Sequence, residues 1–407
     1  MKILFLLTQD LESPSGLGRY WPLAKELVRL GHRVTILALH HNFQALERRC
    51  FIREGVKVHY VGQMHVIKRD NRKFYFSPIR LMWISALATW RLLRCALRTP
   101  ADVYHIGKPH PMNSVAGLIT AYARRKCVFL DCDDYEAASN RFGGAWQKWI
   151  VAWFENVIPR HVHHITTHNC FLRNRLLALG IPPERITYLP NGVDAERFSR
   201  CDFAQVDFLR SKFGLTGKKV VAFIGSLSSP SHPVDLVLDA FVRVQRIQPE
   251  STLLIVGGGE DYERLQGRIQ EMGLSGQVLI CGQVPDTEVP MYYRLADVVV
   301  EPVYDDDAGR ARLPLKLFES WISGVPFVTA DVGDRRMILG SPPAGVLVRP
   351  GDPDALSDGI IHILLNPAEA ATLRERGLER VKGFRWDHLA RLMEATYYMY
   401  TASQAHS

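Results

Sequence analysis

Lys316 and Glu319 stand three residues apart in the run Leu313-Pro314-Leu315-Lys316-Leu317-Phe318-Glu319, which continues to Ser323-Gly324-Val325-Pro326. Pro314 is preorganised to start a helix and Gly324 to end one. Lys316 then falls in the first turn, where a cation opposes the helix dipole at a cost of ~0.3–1 kcal/mol. That placement makes physical sense if a diphosphate rests at this helix end, with nearby Arg310 and Arg312 deepening the positive potential. Glu319 projects from the same face as Lys316. A carboxylate beside a phosphate site can accept hydrogen bonds from ribose hydroxyls; its alternative role is that of an acid suited to a helix N-terminus.

Two glycine clusters could bring backbone close to a ligand. Ser13-Pro14-Ser15-Gly16-Leu17-Gly18-Arg19 joins a strand to a helix, but lacks the third glycine and the later acid of a dinucleotide fingerprint. A tight turn is the equal alternative there. Val256-Gly257-Gly258-Gly259-Glu260 follows a buried strand, and three consecutive glycines exceed what a turn requires. Asp133, in Leu130-Asp131-Cys132-Asp133-Asp134, ends another strand; it is either a group for a sugar or acceptor hydroxyl or an internally hydrogen-bonded acid. Asp305-Asp306-Asp307 reads as a solvated loop, and His161, His163 and His164 have no partner cysteines, so no metal is expected. Ser, His and Asp occur without a nucleophile elbow, which gives hydrolase chemistry no support.

The elements that must position these residues alternate between strand-like and amphipathic helical runs, implying parallel sheets covered on both faces. The spacing predicts strands over 2–7, 33–39, 56–61, 103–106, 127–131, 165–167 and 186–189. A helix ends at Leu30-Gly31, and another runs from Ser77-Pro78 to about Arg98. After Asn191-Gly192-Val193-Asp194 and a polar connector over 202–218, a second series follows: 220–224, 253–256, 278–281, 298–301, 327–329 and 346–348. The pattern predicts an α/β protein of two doubly wound, Rossmann-like domains, with ligands at the carboxyl edges of their sheets. The expected domains are 1–200 and 218–384, facing across a cleft, with a helix over 385–407 returning to the first.

At 407 residues the chain fits two domains, and 47% apolar with 23% charged residues excludes a disordered class. No stretch approaches the ~20 apolar residues of a membrane span. Met1-Lys2-Ile3-Leu4-Phe5-Leu6-Leu7 reads as a buried strand rather than a signal peptide, because its apolar run stops at Thr8-Gln9-Asp10. Seven cysteines without CxxC spacing suit reduced thiols and a cytoplasmic setting. Through Asp194 the chain carries 27 basic and 14 acidic side chains, against 23 and 28 beyond it. The first half therefore suits an anionic partner (nucleic acid, a phospholipid surface or a lipid-phosphate acceptor), with a solvated basic surface as the equal alternative on charge alone. The helix over 79–98 has Leu81, Ile84, Leu87 and Leu92 on one face, with Arg80, Arg91, Arg94 and Arg98 elsewhere. Before it, Lys68, Arg69, Arg72, Lys73, Phe74, Tyr75 and Phe76 form a basic-aromatic segment. Both suit peripheral contact with an anionic inner membrane surface, the alternative for the helix being an ordinary domain surface with its apolar stripe in the core.

The segment 313–328 resembles the donor-binding helix of family-four retaining glycosyltransferases of GT-B fold, also called group 1 glycosyl transferases. Tyr188-Leu189-Pro190-Asn191-Gly192-Val193-Asp194 is similar to that family's domain-junction motif. Gly16-Leu17-Gly18-Arg19-Tyr20, Leu30-Gly31-His32-Arg33-Val34, Gly225, Val256–Glu260 and Ala296-Asp297 match in the family's order. The resemblance implies a nucleotide-diphosphate sugar held by the C-terminal domain and a glycan or lipid-linked acceptor held by the N-terminal domain. No separate cofactor and no nucleic-acid partner is implied. Glu319 would bind the ribose and Lys316 would lie near the phosphates. The Gly16–Gly18 loop would approach the transferring sugar. Arg19, His105, Gly225, Ser226, His232, Gly257, Gly258, Glu260, Arg310, Arg312 and Leu317 would complete the binding surface. Anomeric configuration would be retained, with a phosphate oxygen taking the acceptor's proton. The chain departs from the family pattern at four positions. Ala311 replaces the first Glu of the acidic pair, Ser226 a phosphate-binding Arg, His232 a Lys, and Asp133 an N-domain His. A homologue that binds a nucleotide-sugar or a partner without catalysis is the alternative these departures keep open.

Overall fold

A computed structural model of the chain describes residues 1–13, 15–69, 72–140, 142–229 and 232–404. It forms two compact units. The first comprises Met1–Arg69, Lys73–Asn191 and the C-terminal segment from Trp386; the second comprises Gly192–Arg385.

The first unit is built on β1 (Lys2–Leu7), β2 (Arg33–His40), β3 (Cys50–Arg53), β4 (Val56–Gln63), β5 (Val66–Arg69), β6 (Arg72–Tyr75), β7 (Val103–Gly107), β8 (Cys127–Cys132), β9 (His164–Thr167) and β10 (Ile186–Tyr188). Eight of these form one sheet in the order β10-β9-β8-β7-β1-β2-β4-β3, while β5 and β6 pair separately. Only β3 in the large sheet is antiparallel to its neighbour. Strand alternation divides the apolar side chains between two faces. Ile3, Phe5 and Leu7 of β1 join a core that includes Trp386, Met393 and Tyr397 of the C-terminal helix Trp386–Gln404. Leu4 and Leu6 join the opposite core with Ala88, Leu92 and Ala96 of the helix Pro78–Arg98. Burial on both faces is why β1 is an unbroken apolar run.

The second unit has β11 (Lys219–Ile224), β12 (Ser251–Val256), β13 (Val278–Gly282), β14 (Val298–Glu301), β15 (Phe327–Ala330) and β16 (Val346–Val348). They make an all-parallel sheet in the order β13-β12-β11-β14-β15-β16. Val220, Ala222 and Ile224 face one core, and Val221 and Phe223 the other.

Two readings of the sequence are corrected, and a third segment is given its structure. The supposed connector over 202–218 contains a helix, Phe203–Lys212, which Asp202 caps by accepting the Ala204 N–H at 2.9 Å. The basic-aromatic segment forms the β5–β6 pair; the side chains of residues 69–73 lie outside the described residues. In the helix Pro78–Arg98, Leu87 is exposed rather than core-facing. Small residues Ala88 and Ala96, with Leu92, bring this helix against the sheet, while Ile79, Met82, Trp83 and Trp90 are exposed, Trp83 by 75%.

Candidate functional site

In the second unit the loops that follow β11 and β12 meet the helix Leu315–Ile322. Pro314 takes extended angles just ahead of this helix, so Lys316 lies in its first turn. The Lys316 side chain turns inward and is buried, with Nζ 4.0 Å from the centre of the Phe223 ring. That ammonium makes no hydrogen bond among the described residues. Burial pushes it down to about 8, against the pull of Glu301 in the opposite direction. Glu301 cannot neutralise it directly, because its two oxygens are held by Arg335 Nη2 at 2.8 Å and Nε at 2.9 Å. Thr329 Oγ1 donates a third hydrogen bond at 2.7 Å. Lys316 is therefore a dehydrated cation at a helix N-terminus, two features that both favour an incoming anion.

The glycines around Lys316 serve the protein's own backbone. A Cβ on Gly257 would lie 1.9 Å from the Gly225 carbonyl oxygen, and one on Gly259 would lie 2.2 Å from the Leu227 carbonyl oxygen. Leu227 N–H donates to the Gly258 carbonyl at 3.0 Å, tying the two loops together. Gly225 has φ of +155°, and a Cβ there would lie 2.9 Å from Lys316 Nζ. Loop–loop contact thus accounts for Gly257 and Gly259 without a ligand. Gly225, Gly257, Gly258 and Lys316 nevertheless converge at the carboxyl ends of β11 and β12.

Glu319 lies three residues further along the helix. Its Oε1 is 3.2 Å from Arg197 Nη1, and its Oε2 accepts from the Tyr293 hydroxyl at 2.8 Å. Arg197 belongs to the short helix Ala195–Ser199, and its Nε donates to the Asp286 carbonyl at 3.1 Å. Neither Arg197 nor Tyr293 carried a signal in the sequence. Each carboxylate oxygen keeps a lone pair, so the site presents a fixed acceptor rather than a mobile one.

Other expected members are placed differently. Arg310 is half exposed and donates from Nε to Asp305 at 2.7 Å, so its charge is neutralised at the surface. Asp306 caps the helix Asp307–Arg310, its Oδ1 accepting the Gly309 N–H at 2.7 Å. Leu317 is a core side chain. Ser226 Oγ lies 3.4 Å from Ser228 Oγ, and His232 donates its N–H to the Ser228 carbonyl at 3.0 Å. Arg312 and Glu260 have interactions of their own within the protein.

In the first unit two expected binding residues are structural. Arg19 is 2% exposed and forms a double hydrogen bond to Asp131, both contacts at 2.7 Å, and reaches Asn191 Oδ1 at 3.0 Å. Asp131 also accepts from the Tyr20 hydroxyl at 2.9 Å and Thr166 Oγ1 at 2.6 Å, and Arg19 holds it well below the usual carboxylate range despite its burial. His105 stacks on Phe5 and bonds Tyr397 through Nδ1 at 2.6 Å. Burial pushes it down to about 4, so it is a neutral core histidine. A Cβ on Gly16 would lie 2.0 Å from the Asp10 carbonyl oxygen, so Gly16 is required by its own loop. Gly18 accepts a hydrogen bond from Trp386 Nε1 at 2.9 Å through its carbonyl. Asp133 is buried 3.2 Å from Lys108 Nζ, which also meets Asp134 at 2.9 Å and Glu136 at 2.6 Å. Burial pushes Asp133 up to about 8, Lys108 notwithstanding.

Comparison with known proteins agrees with this architecture. The profile described as "Glycosyl transferases group 1" matches residues 205–380, and "Glycosyl transferase 4-like domain" matches residues 15–192. A phosphatidyl-myo-inositol mannosyltransferase of Mycobacterium leprae is 30% identical over 79% of this chain and 79% of its own length. A GDP-mannose-dependent alpha-(1-6)-phosphatidylinositol monomannoside mannosyltransferase of Mycolicibacterium smegmatis is 28% identical over 52% of this chain, and the match spans 56% of that relative. Among solved structures, sucrose-phosphate synthase from Thermosynechococcus elongatus superposes with a TM-score of 0.76 at 17% identity, covering 99% of this chain and 100% of that one. Anabaena Alr3699/HepE in complex with UDP-glucose gives 0.74 at 18% identity, covering 97% and 99%. Two Rossmann-like parallel-sheet units, the profiles that match them in order and the Mycobacterium leprae relative lead to one conclusion: the chain belongs to the group 1 glycosyl transferases and has the GT-B fold.

Proposed function

We propose that the chain transfers a sugar from a nucleotide-diphosphate sugar to a glycan or lipid-linked acceptor. The observation that carries this reading is Lys316, a buried ammonium without a hydrogen bond at the start of the helix Leu315–Ile322. An uncompensated buried cation is costly, and a bound diphosphate removes the cost. As the bond between the sugar's anomeric carbon and the diphosphate breaks, negative charge builds on the departing oxygen. Lys316 and the helix N-terminus stabilise that charge in a site from which water is largely excluded. Glu319, held by Arg197 and Tyr293, orients the nucleotide by accepting from ribose hydroxyls. Retention of anomeric configuration is the stereochemical course we infer from the family resemblance.

A lipid-linked acceptor fits the surface of the first unit. On the helix Pro78–Arg98, Ile79, Trp83 and Trp90 share an exposed stripe opposite the core-facing Ala88, Leu92 and Ala96. Arg80, Arg91, Arg94 and Arg98 flank it, with Arg94 5.3 Å from the Trp90 ring centre. Aromatic side chains backed by arginines suit the interfacial region of an anionic membrane. Among the described residues, no helix is long and apolar enough to cross a membrane. The names of the mycobacterial relatives point to a phosphatidylinositol-type acceptor as the first to try.

The test incubates the protein with UDP-glucose, GDP-mannose or ADP-glucose and offers phosphatidylinositol vesicles or D-inositol 3-phosphate. Nucleotide release and glycosylated product are followed, with Glu319→Ala as the comparison. Transfer from one donor, lost in E319A, is the expected result. Nucleotide binding without release from any donor would instead identify a non-catalytic homologue, the reading favoured by Ser226 and His232. Sedimentation at low salt should pull the protein down with anionic vesicles and not with neutral ones.

A further inference from the structure

The amino edge of the first unit's large sheet carries a basic cavity. It has a volume of about 380 Å³ and opens at the amino ends of β1, β7 and β8, lined by Lys2, Asp102, Arg124 and Lys126 together with Pro100 and Ala101. Strand register explains the grouping. Ile3 pairs with Val103 and Val103 with Cys127, and all three side chains enter the core that holds Phe5 and Trp386. The residues one step earlier, Lys2, Asp102 and Lys126, therefore belong to the other face. That face is the one covered by the helices Pro78–Arg98 and Pro111–Arg124. Adjacent strands lie ~4.8 Å apart, so the two lysines stand on either side of Asp102, within reach of one small ion.

Asp102 does not neutralise them. Its Oδ2 accepts the Lys2 backbone N–H at 2.7 Å, and its own N–H donates to the Lys2 carbonyl at 2.8 Å. Neither lysine forms an ion pair among the described residues. Arg124 spends Nη2 on the Leu97 carbonyl, while its Nε is buried without a hydrogen-bond partner. Three cations against one carboxylate, with one donor unmet, favour an anion that offers several acceptor oxygens. Basic residues near helix C-termini often serve the helix itself. Here most of the last carbonyls have other partners. Ala96 accepts the Thr99 N–H at 3.0 Å, Cys95 accepts from Thr99 Oγ1 at 2.9 Å, and Tyr122 accepts the Arg125 N–H at 3.1 Å. Only Arg124 acts as a cap, through Leu97. Lys2 begins a strand and has no helix end to serve.

The neighbouring helix indicates which anion. Trp83, Trp90 and Leu97 recur every seven residues on Pro78–Arg98 and are all exposed, so they share one stripe. The stripe ends at Leu97, whose carbonyl Arg124 holds at the cavity wall. An apolar stripe that runs into a basic cavity matches an amphiphile with a phosphate at its polar end. We propose that the cavity at the amino edge of this sheet binds the phosphate of an anionic phospholipid. The inference rests on the membrane reading of the helix Pro78–Arg98 and deepens it, giving that contact a defined headgroup site; it does not depend on sugar transfer. The cavity lies at the edge of its sheet opposite the carboxyl ends where doubly wound folds bind their substrates, so its lipid anchors the protein and is not consumed.

The test compares wild type with the double variant Lys2→Gln/Lys126→Gln and with a charge-matched control, Lys57→Gln/Lys212→Gln. All four lysines are exposed, so both variants should unfold at the wild-type denaturant midpoint. Sedimentation uses phosphatidylcholine vesicles with and without phosphatidylglycerol, and calorimetry titrates inorganic phosphate at constant ionic strength. K2Q/K126Q should weaken binding to the phosphatidylglycerol vesicles about 10- to 30-fold, and the control by about twofold at most. Inorganic phosphate should displace wild type from those vesicles better than chloride of equal ionic strength. Equal losses in the two double variants would overturn the cavity and leave the membrane contact standing on overall charge. Phosphate binding that K2Q/K126Q abolishes without changing sedimentation would overturn the lipid assignment in favour of a soluble phosphate. A wild type that sediments with neither vesicle overturns the inference and the membrane reading together, and leaves the transferase reading untouched.

Discussion

Arg19 and Lys316 are both basic, both buried and both near the start of a helix that follows a glycine-rich or proline-led turn. Only one of them lacks a partner. Arg19 is enclosed by Asp131, Asn191 and the Leu189 and Pro190 carbonyls, so its five donors hold the first unit together. Lys316 has an aromatic face, a glycine and no hydrogen bond. A buried cation with satisfied donors is architecture, whereas a buried cation without them is the feature on which the proposed donor site rests. Residue type and helix position do not distinguish the two cases; the surroundings do.

The contrast is most severely tested at Arg19. Arg19→Met leaves Asp131 buried without its counter-ion and should destabilise the first unit by about 3–5 kcal/mol, read as a lower denaturant midpoint that nucleotide does not rescue selectively. Gly257→Ala strikes the second unit, where a Cβ would collide with the Gly225 carbonyl. It should cost about 1–3 kcal/mol and weaken UDP or GDP binding by displacing the loop beside Lys316; thermal unfolding and calorimetry check the two effects.

Lys316 should also impose a pH dependence that Arg19 does not. Its folded value of about 8 lies below the free value of 10.5. The unfolded chain therefore binds the extra proton between these limits, and the apoprotein gains stability as pH rises from about 8 towards 10.5. Diphosphate affinity moves the other way, falling roughly tenfold between pH 7 and 9 as the ammonium is lost. Lys316→Arg should flatten both trends. The smallest effect belongs to Arg310→Ala, which removes an exposed pair with Asp305 and should leave the nucleotide Kd within error.

The strands of both sheets were legible because burial on two faces writes continuous apolar runs, as in β1 and β11. The short edge strand β3 was not, since Cys50 to Arg53 is largely exposed and carries no such run. The helix that carries Lys316 in its first turn and Glu319 one turn on was legible from Pro314 and Gly324, while the roles proposed for the two side chains await the nucleotide measurements. The loop contact that requires Gly257 and Gly259 was not legible, because sequence cannot distinguish a close ligand from a close second loop. His105 and Arg19 were misassigned to binding, since the aromatic stack and the Asp131 contact that occupy them come from residues distant in the chain. Arg197 and Tyr293 were missed for the same reason: both reach Glu319 from other elements, and nothing local marks them.

The central claim is that Lys316 is a diphosphate receptor. Calorimetric titration of UDP, GDP and ADP into wild type and Lys316→Met at pH 7 addresses it directly. The account predicts that wild type binds at least one of them and that K316M, folded and no less stable, binds it about 10- to 100-fold more weakly. Equal affinity in the two proteins, or no binding to wild type at millimolar nucleotide, would contradict it.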